Sequence, residues 1–447
     1  MRSADVIVVG GGAAGLMAAG QAAESGARVL VLEKMPSPGR KLLLTGKTRC
    51  NLTNMDTIQL SLDHFNREGR FLTQVFYQFF NQDLRDFFHA LGVPTEEQRG
   101  GRVFPVSERA QDVLDALLGW LNRLEVTLLT DQLVSRLHIQ DDRILGVTSG
   151  EKDFTAPAVI LAAGGKAYPG TGSTGDGYAL AGQAGHTITP VFPALVPLVT
   201  AGETARQLQG LSLKNVTANL WVEGEKEADL FGEMLFTHFG LSGPIILTLS
   251  RQIVHHLRAG RRVEIAIDLK PALDHPTLDR RLLRDIQQQG RKQYSSLLSG
   301  LLPSSLIPVC AAQTRIPWEK KLNQLTGEDR KTLRMWLKED FRFQVVDHRG
   351  FGQAIITAGG VDVSQVDPRT MASLLVRGLY FAGEILDVDA DTGGYNLQAA
   401  FSTGWAAGRA AAGKNPCSAR LQIISSQGDL KAAPDKAESS GRRYSPS

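Results

Sequence analysis

Cysteine is scarce in this chain, with three in 447 residues, at Cys50, Cys310 and Cys417. They are too few and too scattered for a disulfide framework, and the expected compartment is the reducing cytosol. No apolar run reaches the ~18 residues of a membrane span. The N-terminus has Arg2 and then an apolar stretch, but Asp5 and Gly10-Gly11-Gly12 interrupt it, which argues against a signal peptide. Neither sign of charge dominates: 49 Lys/Arg stand against 46 Asp/Glu, a net charge of +3. That balance alone does not point to a polyanionic partner. No Cys/His spacing suits a metal, no Ser/His/Asp set stands out, and no repeat of fixed period is visible.

Glycine, in contrast, is abundant, with 46 residues against a usual ~7%. Many lie in short apolar strings, where backbone can approach a ligand closely. Hydrophobic residues at 43% and charged residues at 21% describe a globular chain with ample material for a large core.

Residues 4–9 form a β-branched apolar run typed as a buried parallel strand. An Ala-rich helix is expected over 13–25, ended by Gly26, and a second strand over 28–32, which makes one βαβ unit. Helices are expected over 70–91 and 110–124, and strands at 126–129, 133–147 and 159–162. From Pro190 the texture changes to short strand-like pieces, then to basic helices over 277–343. After Gly350 the strand-and-glycine texture returns. The expected organisation is α/β. A Rossmann-like FAD-binding domain of two-dinucleotide-binding-fold type (1–190 and 351–413) is interrupted by an inserted β-barrel-like domain (191–350) carrying a helical subdomain. The β part of the insert covers about 191–272 and 343–350, and the helical part about 273–342. Residues 414–447 read as a disordered tail.

Gly10-Gly11-Gly12-Ala13-Ala14-Gly15 matches G-x-G-x-x-G. It follows a strand, opens a helix, and has Glu33 18 residues after Gly15. In this context Gly10 permits the tight turn, Gly12 admits a pyrophosphate, and Gly15 allows close helix–strand packing. Glu33 then accepts from ribose hydroxyls. Two further segments separate FAD from NAD. One is Val159 to Gly165, a strand ending in Ala163-Gly164. The other runs from Gly378 to Glu384, a strand ending in Gly383-Glu384, and continues to a helix opened by Gly393-Gly394-Tyr395-Asn396. The dipole of that helix would favour the anionic end of reduced flavin. Gly170 to Gly175 also fits G-x-G-x-x-G, but Pro169 precedes it and no strand runs into it. It reads as a loop near flavin or substrate.

At this point the chain resembles the BaiN/YhiN-like FAD-dependent oxidoreductases. The resemblance is carried by Gly39 to Asn54 (with Arg49-Cys50-Asn51), Gly101 to Pro105, Leu235 to Pro244, Thr357 to Val361, and Gly393 to Gln398. It covers about residues 4–412. It implies non-covalent FAD, NAD(P)H as reductant, and an inserted barrel. The activities it implies are reduction of a steroid-like carbon–carbon double bond, oxidation of a small amino-ketone, or reduction of uridine in large-subunit ribosomal RNA. Where the family carries small glycine-rich residues, this chain has Gly46-Lys47-Thr48. Lys47 then either holds an anion or points to solvent.

The candidate cofactor contacts are Gly10, Gly12, Ala13, Ala14, Gly15, Glu33, Lys34, Arg40, Lys41, Gly46, Asn51, Val134, Ala163, Gly164, Gly383, Glu384, Gly394, Tyr395, Asn396 and Leu397. The candidate catalytic residues are Cys50 and His238. A thiol beside the flavin can supply the proton that hydride transfer to a C=C bond requires, although Arg49 next to it would favour thiolate. Glu384, Asp387 and Asp389 cluster near the expected pyrophosphate and ribityl region, where Glu384 suits a ribityl hydroxyl and the two aspartates either belong to that region or only cap the following turn. The basic helices, including Arg280, Arg281, Arg284, Arg291, Lys292, Lys320, Lys321, Arg330, Lys331 and Arg334, lie in a segment (251–343) with 18 Lys/Arg against 10 Asp/Glu. They are either a solvated face or phosphate contacts. The favoured expectation is hydride transfer to a ribosomal uridine. A small-molecule oxidase or enoate-type reductase is the alternative, and an FAD-stabilised RNA-binding factor without turnover the second.

Overall fold

The computed structural model describes residues 2–413. The expected tail at 414–447 and Cys417 lie outside the described residues.

Five short strands form a parallel sheet in the spatial order Leu379–Phe381, Ala158–Leu161, Val6–Val9, Val29–Leu32, Thr127–Leu129. Val6–Val9, Val29–Leu32 and Ala158–Leu161 are buried along their whole length, as continuous apolar runs require when both faces of a sheet are covered. The helix Ala13–Glu24 packs against the helix Tyr395–Ala411 with almost no space between their backbones. A methyl group on Gly404 or Gly408 would lie 2.4 Å or 2.2 Å from the carbonyl oxygens of Ala14 and Ala18. A second sheet, of strands Arg2–Ser3, Lys152–Thr155, Arg143–Ser149 and Val134–Gln140, borders this layer.

Between the fourth and fifth strands of the parallel sheet in chain order, the chain builds a closed six-stranded barrel. Its strands run in the order Leu198–Thr200, Gly240–Ser242, Glu225–Thr237, Ser212–Val222, Val263–Asp268, Arg342–His348. The helices His275–Gln288, Tyr294–Ser299, Leu306–Thr314 and Gly327–Met335 fall between its last two strands in sequence. The barrel and these helices share one apolar core, separate from that of the nucleotide half.

Two expectations need correction. Residues 70–91 are not one helix: a 3-10 turn (Arg67–Leu72) and the helices Thr73–Gln78 and Asn81–Ala90 break at the extended residues Phe79 and Phe80. The aromatic rings of that break pack inward, Phe79 stacking on Trp405 and Phe80 meeting Phe76. The insert also holds a long helix, Pro244–Arg258, in a stretch read only as strand-like. Its signals were present in the sequence: Pro244 directly after Gly243, and Ile245, Leu249 and Ile253 at helical spacing.

Candidate functional site

The first half of the site grows out of the strand Val6–Val9. Gly10 turns the chain at φ +106°, and a methyl there would lie 2.5 Å from the Ala162 carbonyl oxygen. A methyl on Gly15 would lie 1.9 Å from the carbonyl of Gly10, whereas one on Gly12 would meet nothing within 4 Å. So Gly10 and Gly15 are required by the protein's own packing, and Gly12 leaves open space. The helix beginning at Ala13 has no side-chain cap, and its first bond is Leu16 N–H to the Gly12 carbonyl (2.9 Å). The amides of Ala13, Ala14 and Gly15 precede that bond and are suited to a pyrophosphate. Glu33 is buried, and its two oxygens accept from the N–H of Gly11 (2.6 Å) and of Met35 (2.7 Å). A carboxylate has about four acceptor positions, so two remain for ribose hydroxyls. Gln132 N–H bonds the Glu33 carbonyl, which brings the buried Val134 to this end of the sheet.

The second half comes from the far end of the chain. Ala163 and Gly164 follow the strand Ala158–Leu161, and Gly164 turns at φ +71° beside Ser173. Gly383 follows the strand Leu379–Phe381, where a methyl would press on Ala14. Gly394 caps the helix Tyr395–Ala411 without a side-chain bond, and the first helical bond is Gln398 N–H to Gly394. The amides of Tyr395, Asn396 and Leu397 stand ahead of it. Two helix N-termini are thus joined by the close packing of their helices. Their positive ends, together with Glu33 and the open space over Gly12, fit a dinucleotide whose flavin end carries negative charge on reduction. Beside them, Asn51 Oδ1 is buried with no hydrogen-bond partner among the described residues, an acceptor that calls for a donor.

Several candidate side chains are engaged elsewhere. Lys34 pairs with Asp176 and Thr174 at the start of the helix Asp176–Gln183, which the Gly170–Gly175 loop opens. Lys41 pairs with Glu384, whose other oxygen accepts the Thr357 N–H (2.9 Å). Glu384 therefore fixes a loop and, like Glu33, keeps acceptor positions for a cofactor hydroxyl. Arg40 is half-buried at the start of the helix Arg40–Leu44. The Tyr395 hydroxyl donates to Asp56 (2.7 Å), and the Asn396 amide clamps the backbone of Ala390 and Asp391. These two face the cradle through their backbone only. His238 is exposed in the hairpin between two barrel strands, its ring edge-on to Phe239.

Cys50 lies in a turn where Gly46, Lys47, Thr48 and Cys50 all have positive φ (58°, 59°, 68° and 63°). The side chain is fully buried, which pushes its thiol up to about 12 against a weaker opposing bond from Thr45. Arg49 does not favour thiolate, since its guanidinium lies over the Phe104 ring (4.3 Å) and pairs with Glu108 (2.6 Å). Lys47 and Thr48 are exposed.

Sequence reasoning missed the group that joins the two halves of the molecule. Arg251, on the helix Pro244–Arg258, reaches Asp389 Oδ2 (2.8 Å), Asp391 Oδ1 (2.6 Å) and the carbonyls of His64 (3.1 Å) and Asp389 (2.9 Å). Asp389 also receives Asn66 (2.8 Å), and Asp387 receives Thr189 (2.9 Å). These aspartates hold a junction rather than cap a turn. Burial raises both carboxyls above their ordinary value, and Arg251 works against that for Asp389. No spacing rule links residues 64, 251 and 389, so only the fold brings them together. The basic helices, by comparison, are partly neutralised within the insert, while Arg280, Arg291, Lys292 and Lys321 are exposed without an acid partner among the described residues. Arg330 and Arg334 share Asp279 (2.9 and 3.2 Å), Lys320 holds Asp329 (2.7 Å), Arg284 lies 3.4 Å from Asp285, and Lys338 pairs with Asp268.

The chain matches the family described as HI0933-like protein Rossmann domain over residues 4–410. It is 35% identical over 407 residues to the 3-dehydro-bile acid delta(4,6)-reductase of Clostridium scindens, covering 91% of this chain and 98% of that protein. It is 31% identical over 416 residues to the ribosomal RNA dihydrouridine synthase of Escherichia coli K12, covering 91% and 97%. Among solved structures, the 3-ketosteroid delta1-dehydrogenase of Sterolibacterium denitrificans shares the fold, with a TM-score of 0.50 at 14% identity over 92% of this chain and all of that one. No helix among the described residues is long and apolar enough to cross a membrane. The chain belongs to the HI0933-like family and is an FAD-dependent oxidoreductase.

Proposed function

We propose that this member of the HI0933-like family reduces a carbon–carbon double bond conjugated to a carbonyl in a small molecule, with NAD(P)H as the electron source. Both curated relatives carry names that denote addition of two hydrogens to a C=C bond, one in a bile acid and one in uridine. The observation that supports the small-molecule class is the likeness to the bile-acid reductase, 35% identical over 91% of this chain and 98% of that protein. Arg281, Arg284, Lys320, Arg330, Arg334 and Lys338 each lie within 4 Å of an acid of the insert itself. Part of the basic surface is thus taken up within the insert, while Arg280, Arg291, Lys292 and Lys321 are exposed with no acid within 4 Å among the described residues, which is why ribosomal RNA is an arm of the test.

When bound, FAD supplies two-electron hydride transfer. The chain's part is to hold it and to manage charge. The amides of Ala13, Ala14 and Gly15 take the pyrophosphate, Glu33 the ribose, and the amides of Tyr395, Asn396 and Leu397 the electron-rich end of the ring system. Cys50 stays a thiol at neutral pH, so it brings no second negative charge to this end. Among the described residues one G-x-G-x-x-G follows a strand, while the Gly170–Gly175 loop is tied through Thr174 and Asp176 to Lys34. The nicotinamide cofactor therefore docks without a dinucleotide fold of its own.

The test is anaerobic. The protein is reduced with NADH or NADPH and mixed with a steroid-type 4-en-3-one, with ribosomal RNA, or with air. Reoxidation by the enone, with a product two mass units heavier, is expected. Rapid reoxidation by RNA with dihydrouridine formed would replace this reading with the nucleic-acid one.

A further inference from the structure

Adding hydride to one carbon of a conjugated double bond leaves the other carbon in need of a proton. The sequence offers Cys50 and His238 for it. Cys50 is fully enclosed and its proton is held tightly, whereas His238 stands on an exposed barrel hairpin. A third group lies at the junction of the two halves, at the opening of the helix Tyr395–Ala411.

We propose that His64 is the proton donor of the reduction, with Asp391 fixing its Nδ1 and Tyr395 its ring plane, so that Nε2 faces the substrate. The inference rests on the reductase reading above. His64 Nδ1 lies 3.1 Å from Asp391 Oδ2 and donates to it. The backbone repeats the tie, since Asp391 N–H bonds the His64 carbonyl (3.0 Å). The imidazole stacks on the Tyr395 ring at 4.3 Å between centroids and 17° between planes. Tyr395 is itself anchored, its hydroxyl donating to Asp56. One ring nitrogen is thus fixed, and with it the tautomer and orientation of the other. Nε2 has no close partner: its nearest acid, Asp56 Oδ2, is 3.8 Å away, and the side chain is 40% exposed. A structural histidine bonded through both nitrogens would show neither feature. Tyr395 is also the first residue of the helix whose leading amides are suited to the flavin, so the imidazole is fixed on the side chain of the residue that opens that helix.

The charges around it favour the protonated ring. Asp391 on the loop before the last helix, Asp56 after the strand Thr53–Asn54, and Asp63 on its own helix all raise its proton affinity, the Asp391 bond most and burial opposing. Arg251, from the insert, bonds Asp391 Oδ1 and the His64 carbonyl, and so shares the carboxylate that holds Nδ1. In the step itself, hydride from the reduced cofactor forms one C–H bond. The Nε2–H bond breaks, and its proton forms the second on the adjacent carbon. The cofactor is oxidised, the alkene reduced, and the neutral imidazole regains a proton from water.

The test separates half-reactions. Prereduced protein is mixed anaerobically with the enone over pH 5–9. The wild-type rate should fall as pH rises through the His64 pKa, and His64→Gln should lose at least ~100-fold and the pH limb with it, a loss typical of a missing general acid. NMR titration of the imidazole in the full chain gives a reading independent of turnover: His64 should titrate above an ordinary histidine, and Asp391→Asn should lower it. A His64→Gln protein whose reoxidation stays within about threefold of wild type and keeps its pH limb would overturn the proposal. So would an ordinary titration that Asp391→Asn leaves in place. A wild type that the enone never reoxidises would instead remove the reductase reading, and the proposal with it.

Discussion

Two turns of the nucleotide half meet the same backbone demand with opposite residues. In the turn at 10–15, every forbidden contact falls on glycine: Gly10 against Ala162, Gly15 against Gly10. In the turn at 46–50, left-handed backbone falls on Lys47, Thr48 and Cys50, and only Gly46 is a glycine. The first turn is relaxed and fixed by packing. The second is held in place by its closing bonds, Cys50 N–H to Thr45 (3.0 Å) and Ala110 N–H to Thr48 (2.8 Å). Left-handed backbone costs an L-residue roughly 1–2 kcal/mol, and such strain gathers where a site needs a fixed shape.

The largest effect expected is at the packed turn. Gly15→Ala puts a methyl into a backbone carbonyl, and no folded, FAD-binding protein should be recovered, by circular dichroism and flavin absorbance. Gly12→Ala, three residues away but facing open space, should melt with the wild type and lose at least ~10-fold in FAD affinity, since the approach to phosphate is what it blocks. If both variants behaved alike, the division of roles among these glycines would fail.

The junction held by charge gives a second scale. Arg251→Met leaves Asp389 buried without its cation, which costs about 3–5 kcal/mol in chemical denaturation. The sign with pH follows from the raised carboxyls of Asp387 and Asp389. A carboxyl that binds its proton more tightly folded than unfolded contributes stability below its unfolded value and loses it as pH rises through the folded one. The Arg251→Met deficit should therefore shrink as pH is lowered toward the carboxylate range, and a deficit independent of pH would contradict the assignment.

The strained turn should respond in the opposite direction. Lys47→Gly and Thr48→Gly should each stabilise by roughly 0.5–1 kcal/mol, strain relief outweighing the extra chain entropy of glycine. Destabilisation would show that these exposed side chains make contacts of their own. A last prediction concerns the reactivity of Cys50 and leaves fold and cofactor affinity untouched. With its thiol pushed up to about 12 and fully enclosed, it should react with iodoacetamide at pH 8 on the order of 10³-fold more slowly than a free cysteine.

The same contrast explains what could be read without coordinates. The 10–15 turn announces itself because strand, glycines, helix and Glu33 are contiguous and each has a steric reason. The parallel strands were legible as apolar runs, and the interruption by a barrel as a change of texture. The strained turn was visible only as a departure, Lys47-Thr48 where small residues were expected. The Arg251 junction and the His64–Asp391 pair were not legible at all. Their members are separated by well over a hundred residues, and no periodicity relates them. Side-chain direction was equally hidden: Tyr395 and Asn396 lie in the cradle's sequence but turn toward Asp56 and Ala390.

The central claim is that a hydride from a nicotinamide and a proton from water end on adjacent carbons of one small molecule. The most direct measurement is the mass of the enone product made once with 4-deuterated NAD(P)D in water and once with NAD(P)H in deuterium oxide. The account predicts one deuterium in each product, on different carbons. Hydrogen peroxide as the only product, with the enone recovered unchanged, would contradict it.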